Sequence, residues 1–175
     1  ITINKDSISF KFKLEYSDDV QKFLTTNTFL INNNSIKILS KGKFLTNFET
    51  NRIGYNVLLP LKKVVSQKLI ITNDKSKKIK SNFPEIITPD QPFINISEIN
   101  YSMNDNLNLN YLFKGIKFEM EDQRNWGDAS FKIYSGSLLD PFPYIIKKDS
   151  EFYQEIELTI NVIKPIIKTN NIKSN

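Results

Sequence analysis

Residues 8–16 alternate without a fault: Ile8, Phe10, Phe12, Leu14 and Tyr16 fall on one face of an extended chain, Ser9, Lys11, Lys13 and Glu15 on the other. Period two predicts a half-buried antiparallel strand with the five apolar side chains turned inward. Residues 18–24 read as one helical turn or a loop. Apolar runs at 29–31 and 36–39 flank an Asn-rich stretch at 32–35. Asn tolerates the positive φ that a tight turn requires, so a hairpin is expected there. A further strand follows over 43–48, after the break at Gly42. Residues 57–59 are apolar on both faces, which predicts a strand covered on each side and stopped by Pro60. Residues 68–72 and the turn at 73–76 open another hairpin, and the lysines of 75–80 read as a solvated loop. Strands are expected over 94–101, 107–112 and 117–120, and one long strand over 150–163 with Ile156, Leu158 and Ile160 facing in. Between them, Pro84, Pro89 and Pro92 each lack a backbone donor, so that segment is a long ordered loop, of the kind that caps a fold or serves its function.

Ten or so strands with scarcely a helix predict an all-β protein, a large antiparallel two-sheet β-sandwich. A chain of 175 residues is one domain's worth. The sandwich is expected over residues 1–165, with 166–175 a polar tail or linker. The 24 basic and 19 acidic residues leave a net charge of +5, but the lysines are scattered from Lys5 to Lys173. That spread argues against a nucleic-acid partner, which favours clustered cations interleaved with aromatics. No apolar run approaches the roughly 20 residues of a membrane span, and a cytoplasmic location is expected.

Cysteine and histidine are both absent. Ser-His and Cys-His nucleophile pairs and His-ligated metals are thereby excluded, leaving carboxylates, Lys, Tyr, Arg and backbone donors for any chemistry. No cofactor or metal is expected; Asp105, between Asn104 and Asn106, reads as a turn residue rather than a calcium ligand.

The most informative stretch is 118–134. The chain is dominated by Lys, Asn and Ile, yet its only Trp (Trp126), its only Ala (Ala129) and one of its two Arg (Arg124) fall here. Arginine retained against a lysine bias points to a planar fork that grips a partner, which singles out Arg124 and Arg52. On a continuous strand, Phe118, Met120, Asp122, Arg124 and Trp126 would share one face, with Asp122 and Arg124 in reach of a bidentate ion pair. Two readings follow. In one, Arg124, Asn125 and Trp126 hold a polyol or carboxylate, which the family resemblance given below makes a sugar acid or lactone, while Glu121, Asp122 or Asp128 accepts hydroxyls or activates water. In the other, which is favoured, Asp122 and Arg124 form a buried pair that locks a strand corner, with Asp128 capping a turn through Gly127. Trp126 would floor a cavity or plug the sandwich end. Arg52, beside Asn51, reads as an internal brace.

Residues 119–126 (EMEDQRNW), 128–132 (DASFK) and 141–143 (PFP) resemble the N-terminal domain of the D-apionate lactonase family, bacterial enzymes of branched-sugar-acid catabolism. Weaker echoes lie in 51–54 (NRIG) leading to Pro60, and in Phe83 and Pro84 leading to Pro89, 91–93 (QPF) and Ile96. The resemblance implies a large sandwich that precedes a (β/α)-barrel and a further domain, so the chain would be a non-catalytic part of a lactone hydrolase, with the barrel as its missing partner. It departs from the family pattern at Leu59 and Asp90, where histidines are expected. The alternative is a free-standing carbohydrate-binding or protein-interaction module.

Overall fold

A computed structural model describes residues 1–163. The expected tail at 166–175, and the domain boundary at 165, lie outside the described residues. In chain order the strands are β1 (Thr2–Ile3), β2 (Ser7–Ser17), β3 (Lys22–Asn32), β4 (Ser35–Phe44), β5 (Phe48–Thr50), β6 (Asn56–Pro60), β7 (Lys68–Asn73), β8 (Lys78–Asn82), β9 (Phe93–Asn104), β10 (Leu107–Lys114), β11 (Phe118–Asp122), β12 (Ser130–Ser135), β13 (Tyr144–Ile146) and β14 (Glu151–Val162). One helical turn, α1 (Leu61–Val64), follows β6, and a 3₁₀ turn, Gln123–Trp126, follows β11.

The large sheet runs β1-β2-β3-β4-β14-β10-β9-β11-β12-β6, with β7 and β8 branching from β9, and a small sheet pairs β5 with β13. All strand pairs among the described residues are antiparallel. The architecture is thus an antiparallel β-sandwich whose two layers share one long strand. The C-terminal half of β9 pairs with β10 and β7, while its N-terminal half pairs with β11. Between β10 and β11 the chain bends at Gly115, φ +101°.

Side chains of both layers meet in one core. Phe131 and Ile133 of β12, Met120 of β11 and Ile99 of β9 are fully buried, and Phe83 closes on Phe131 and Tyr101 with ring centroids 5.5 and 5.3 Å apart. Each such side chain contributes about 1.5–3 kcal/mol through removal from water. A second cluster of Phe23, Phe44 and Phe152 lies under Phe48 and Ile146 of the small sheet.

Several expectations are corrected. The alternation of β2 is real and its pairing with β3 is complete, but Ile8, Phe12, Leu14 and Tyr16 are 38–48% exposed, because within the described residues no second layer covers this part of the sheet. β6 is not covered on both sides: it is the edge strand beyond β12, Leu59 is buried and Leu58 is 57% exposed. An edge is also where Pro60, lacking a donor, is tolerated. The expected strand at 43–48 divides into the end of β4 and the start of β5, and Lys78–Asn82 is an exposed strand rather than a loop. Asp105 sits in a turn closed by Asn104, whose Oδ1 accepts from the amides of Asn106 and Leu107. Among the described residues no helix is long and apolar enough to cross a membrane.

Candidate functional site

The stretch 118–126 is not one strand. β11 ends at Asp122, whose carboxylate accepts from the Arg124 amide (3.1 Å) and so caps the 3₁₀ turn. Gly127, at φ +77°, closes that turn. A short carboxylate that bonds the backbone two residues on competes with strand extension, which is why period two fails here. Asp122 is wholly buried. Its oxygens accept from Arg124 Nε (2.8 Å), Arg124 Nη2 (2.6 Å) and the Thr88 amide (3.2 Å). The rest of the guanidinium donates to the carbonyls of Glu85 (2.7 Å) and Pro84 (3.1 Å), over the ring of Phe131. Asn125 Nδ2 donates to the Thr88 carbonyl at 2.6 Å. Arg124 and Asn125 therefore staple the proline-rich loop to the end of β11.

The other expected site residues are also engaged within the chain. Glu121 accepts from Trp126 Nε1 (3.0 Å) and Gln123 Nε2 (2.7 Å) and pairs with Lys132. Asp128 accepts from Ser130 Oγ at 2.9 Å. Trp126 is 74% exposed, so it does not plug the sandwich end. Glu119, unremarked in the sequence, is wholly buried and takes Tyr134 Oη (2.8 Å), Ser137 Oγ and the Leu138 amide (3.1 Å). Burial, and next the Glu119 carboxylate, push the Tyr134 phenol far above its usual range.

Burial alone would raise the carboxyls of Asp122 and Glu121, but the donors just named outweigh it and hold both below the usual range. Lys114 does the same for Glu155. Depressed carboxyls stabilise the fold above their unfolded values of about 4, and that contribution is lost as pH falls through the folded ones. The urea midpoint should therefore hold level from neutrality to about pH 5 and fall steeply below about pH 4. A midpoint that rose on acidification would contradict these assignments.

A different constellation surrounds the second arginine. Asn27 of β3, Ser40 of β4 and Gln154 of β14 are register partners in a row across the sheet, all buried. Ser40 Oγ (2.7 Å) and Tyr55 Oη (2.9 Å) both donate to Asn27 Oδ1, and Asn27 Nδ2 donates to Thr25 Oγ1 (2.9 Å). Gln154 Oε1 accepts the Tyr55 amide at 2.7 Å, while its Nε2 is buried without a partner, as is Arg52 Nε. Above this floor is a cavity of about 310 Å³, walled by Arg52, Tyr16, Phe23 and Phe48. A second cavity, of about 530 Å³, shares Arg52 with it.

Arg52 lies over the ring of Phe142 at 4.7 Å and forms no ion pair among the described residues. Stretches 51–54 and 141–143, distant in sequence, thus meet at this guanidinium. Gly54, at φ +136°, presses its backbone onto the floor: a Cβ there would lie 1.9 Å from Ser135 Oγ and 2.7 Å from Gln154 Oε1. Arg52 was legible as a rarity. The row beneath it was not, because it exists only through strand register.

Comparison with known proteins gives the fold and the family. In solved structures, the Slr1438 protein of Synechocystis sp. PCC 6803 superposes with a TM-score of 0.56 at 11% identity, over 91% of this chain and 63% of that one. A putative aldose 1-epimerase of Escherichia coli K12 gives 0.52 at 9%, over 93% and 68%. Such identities show a shared sandwich fold and nothing further. In sequence, a D-apionate lactonase of Brucella anthropi is 35% identical over 116 residues, which make up 66% of this chain but only 19% of that protein. The family model described as "D-apionate lactonase, N-terminal domain" matches residues 1–162, nearly the whole chain, and the chain belongs to that family.

Proposed function

We propose that this domain is a non-catalytic part of a lactone-hydrolysing protein of sugar-acid catabolism, whose chemistry is done by sequence beyond the 175 residues. The observation that carries the reading is the engagement of the acidic stretch. Lactone hydrolysis needs a base free to deprotonate water and a donor aimed at the developing oxyanion. Asp122 is buried and saturated by Arg124 and the Thr88 amide, Glu121 is held by three partners, and Asp128 serves Ser130. Arg124 and Asn125 are spent on loop carbonyls, so in this reading they shape the domain rather than touch substrate. Trp126, exposed beside Glu121, is then a surface for a neighbouring part of the longer protein.

The curated relative is a D-apionate lactonase and this chain spans about a fifth of its length, which supports placing the reaction elsewhere. The test is a pH-stat assay on D-apionolactone and simpler aldonolactones, comparing residues 1–175 with a protein carrying the rest of such a sequence. The domain alone should stay at the buffer rate and the longer protein should turn over. Turnover by the domain that vanishes in Glu121→Gln or Asp122→Asn would reverse the reading.

A further inference from the structure

We propose that the cavity over Asn27, Ser40 and Gln154 is a binding site for a small polyhydroxy carboxylate, with Arg52 holding its carboxylate. The site rests on the cavity itself; only the choice of a sugar acid as the physiological class rests on the lactonase reading above.

The donor and acceptor count gives the ligand's chemistry. Asn27 Oδ1 already accepts two hydrogen bonds and Gln154 Oε1 accepts the Tyr55 amide, so the floor's acceptors are occupied. Its surplus is in donors: Gln154 Nε2 and Arg52 Nε are buried and unanswered. A buried donor without a partner is a standing cost, and the natural relief is an incoming oxygen. Arg52 adds a formal charge that no carboxylate of the described residues pairs, held flat by the Phe142 ring. Its Nη1 already donates to the Asn51 carbonyl, which leaves the Nε and Nη2 edge of the planar fork for a carboxylate taken bidentately.

The walls give the rest of the ligand. Tyr16, Phe23 and Phe48 present ring surface on which the C–H edges of a sugar chain can lie, and about 310 Å³ is at the small end of ligand pockets. Thr25 Oγ1 accepts from Asn27 and keeps its own O–H for a polyol oxygen, whereas the Ser40 and Tyr55 hydroxyls already donate to Asn27 and offer a polyol only lone pairs. The row already does one structural job, since Asn27 and Gln154 hold Tyr55 by its hydroxyl and its amide; what that job leaves over is the Gln154 Nε2 donor. The hydrophobic residues at neighbouring register positions, such as Ile38 beside Phe29, show what the face uses where no ligand is served.

The experiment is ¹H–¹⁵N NMR titration of the unmodified chain with D-xylonate and D-gluconate, against xylitol as the uncharged counterpart and acetate as the bare anion. Either aldonate should shift the Gln154 side-chain amide and the Tyr55 backbone amide saturably, at least about tenfold more tightly than xylitol or acetate, in line with one charge-assisted contact. Arg52→Gln should bring aldonate binding down to the xylitol level. The inference is overturned if neither aldonate gives a saturable shift, if xylitol binds as well, or if the shifts map to residues 121–126 instead. Because the unmodified chain carries the main readout, a poorly folding variant does not rescue the idea. Failure here leaves the hydrolysis assay untouched, and turnover by the isolated domain would leave this site standing.

Discussion

Arg124→Ala should cost about 3–5 kcal/mol of stability, the penalty for leaving a buried carboxylate without its cation. Asp122 has no exposure, and two of the four hydrogen bonds its carboxylate accepts come from the Arg124 side chain. The same substitution frees the carbonyls of Pro84 and Glu85, which leaves the proline-rich loop held to this end of β11 only through Thr88. Arg124→Lys keeps the charge but cannot reach both carboxylate oxygens and both carbonyls with one ammonium, and it should fall between parent and alanine variant. Urea melts and thermal scans decide the matter, with a Tm drop of roughly 10 °C or more for alanine. An alanine variant within about 1 kcal/mol of the parent would show that the pair is no brace and would return Arg124 to the list of ligand-contacting residues.

Gly115→Ala should be comparably severe by another route. Gly115 stands at the bend from β10 to β11 with φ +101°, where an added Cβ would lie 2.2 Å from the Tyr153 carbonyl oxygen and 3.1 Å from Gln154 Cα. Those are backbone atoms of β14, held in register against Lys41 and Ser40 of β4, and they cannot swing aside as a side chain could. Backbone strain of about 1–3 kcal/mol adds to overpacking of about 1–3 kcal/mol, so a loss of roughly 3 kcal/mol or more is expected in a urea melt. Gly127→Ala is the control. It has positive φ as well, +77°, but nothing lies within 4 Å of its would-be Cβ, and it should lose only about 1 kcal/mol. Equal losses at the two positions would mean that φ alone matters and that the bend is not tightly packed.

The strands were legible because alternation is local. Residues 8–16 and the long run from 151 declared themselves by period two, and the hairpin around 32–35 by its Asn-rich turn between apolar runs. What covers a face is not local, and so β2 was expected half-buried while its ring-bearing side stands open. The Asp122–Arg124 pair was legible from spacing and residue type, but the turn that closes it was hidden, since an Asx cap and a continuing strand share the same sequence until the backbone chooses. The Arg52 cavity was the least visible. Thr25 and Asn27 interrupt an inward face, Ser40 interrupts another and Gln154 a third, and each looks like noise until register places Asn27 beside Ser40 and Ser40 beside Gln154.

The open side of β2 bears on how the domain behaves in solution. β1 covers only Ile8 and Ser9, which leaves the backbone edge of β2 from Phe10 to Ser17 without a neighbouring strand among the described residues. Such an edge is a template for strand addition. Phe10, Phe12 and Phe29 stack beside it with centroids 4.6–6.4 Å apart, which would reward a second copy laid alongside. The guard is charge: a two-fold antiparallel pairing centred on Phe12 sets Lys11 against Lys13 twice over, and like charges directly opposite are destabilising. Salt screens that repulsion, to a reach of about 8 Å at physiological strength, without weakening the aromatic attraction. The two lysines therefore disfavour edge-to-edge dimerisation of the isolated domain through β2, and concentrated salt is the condition that removes them from play.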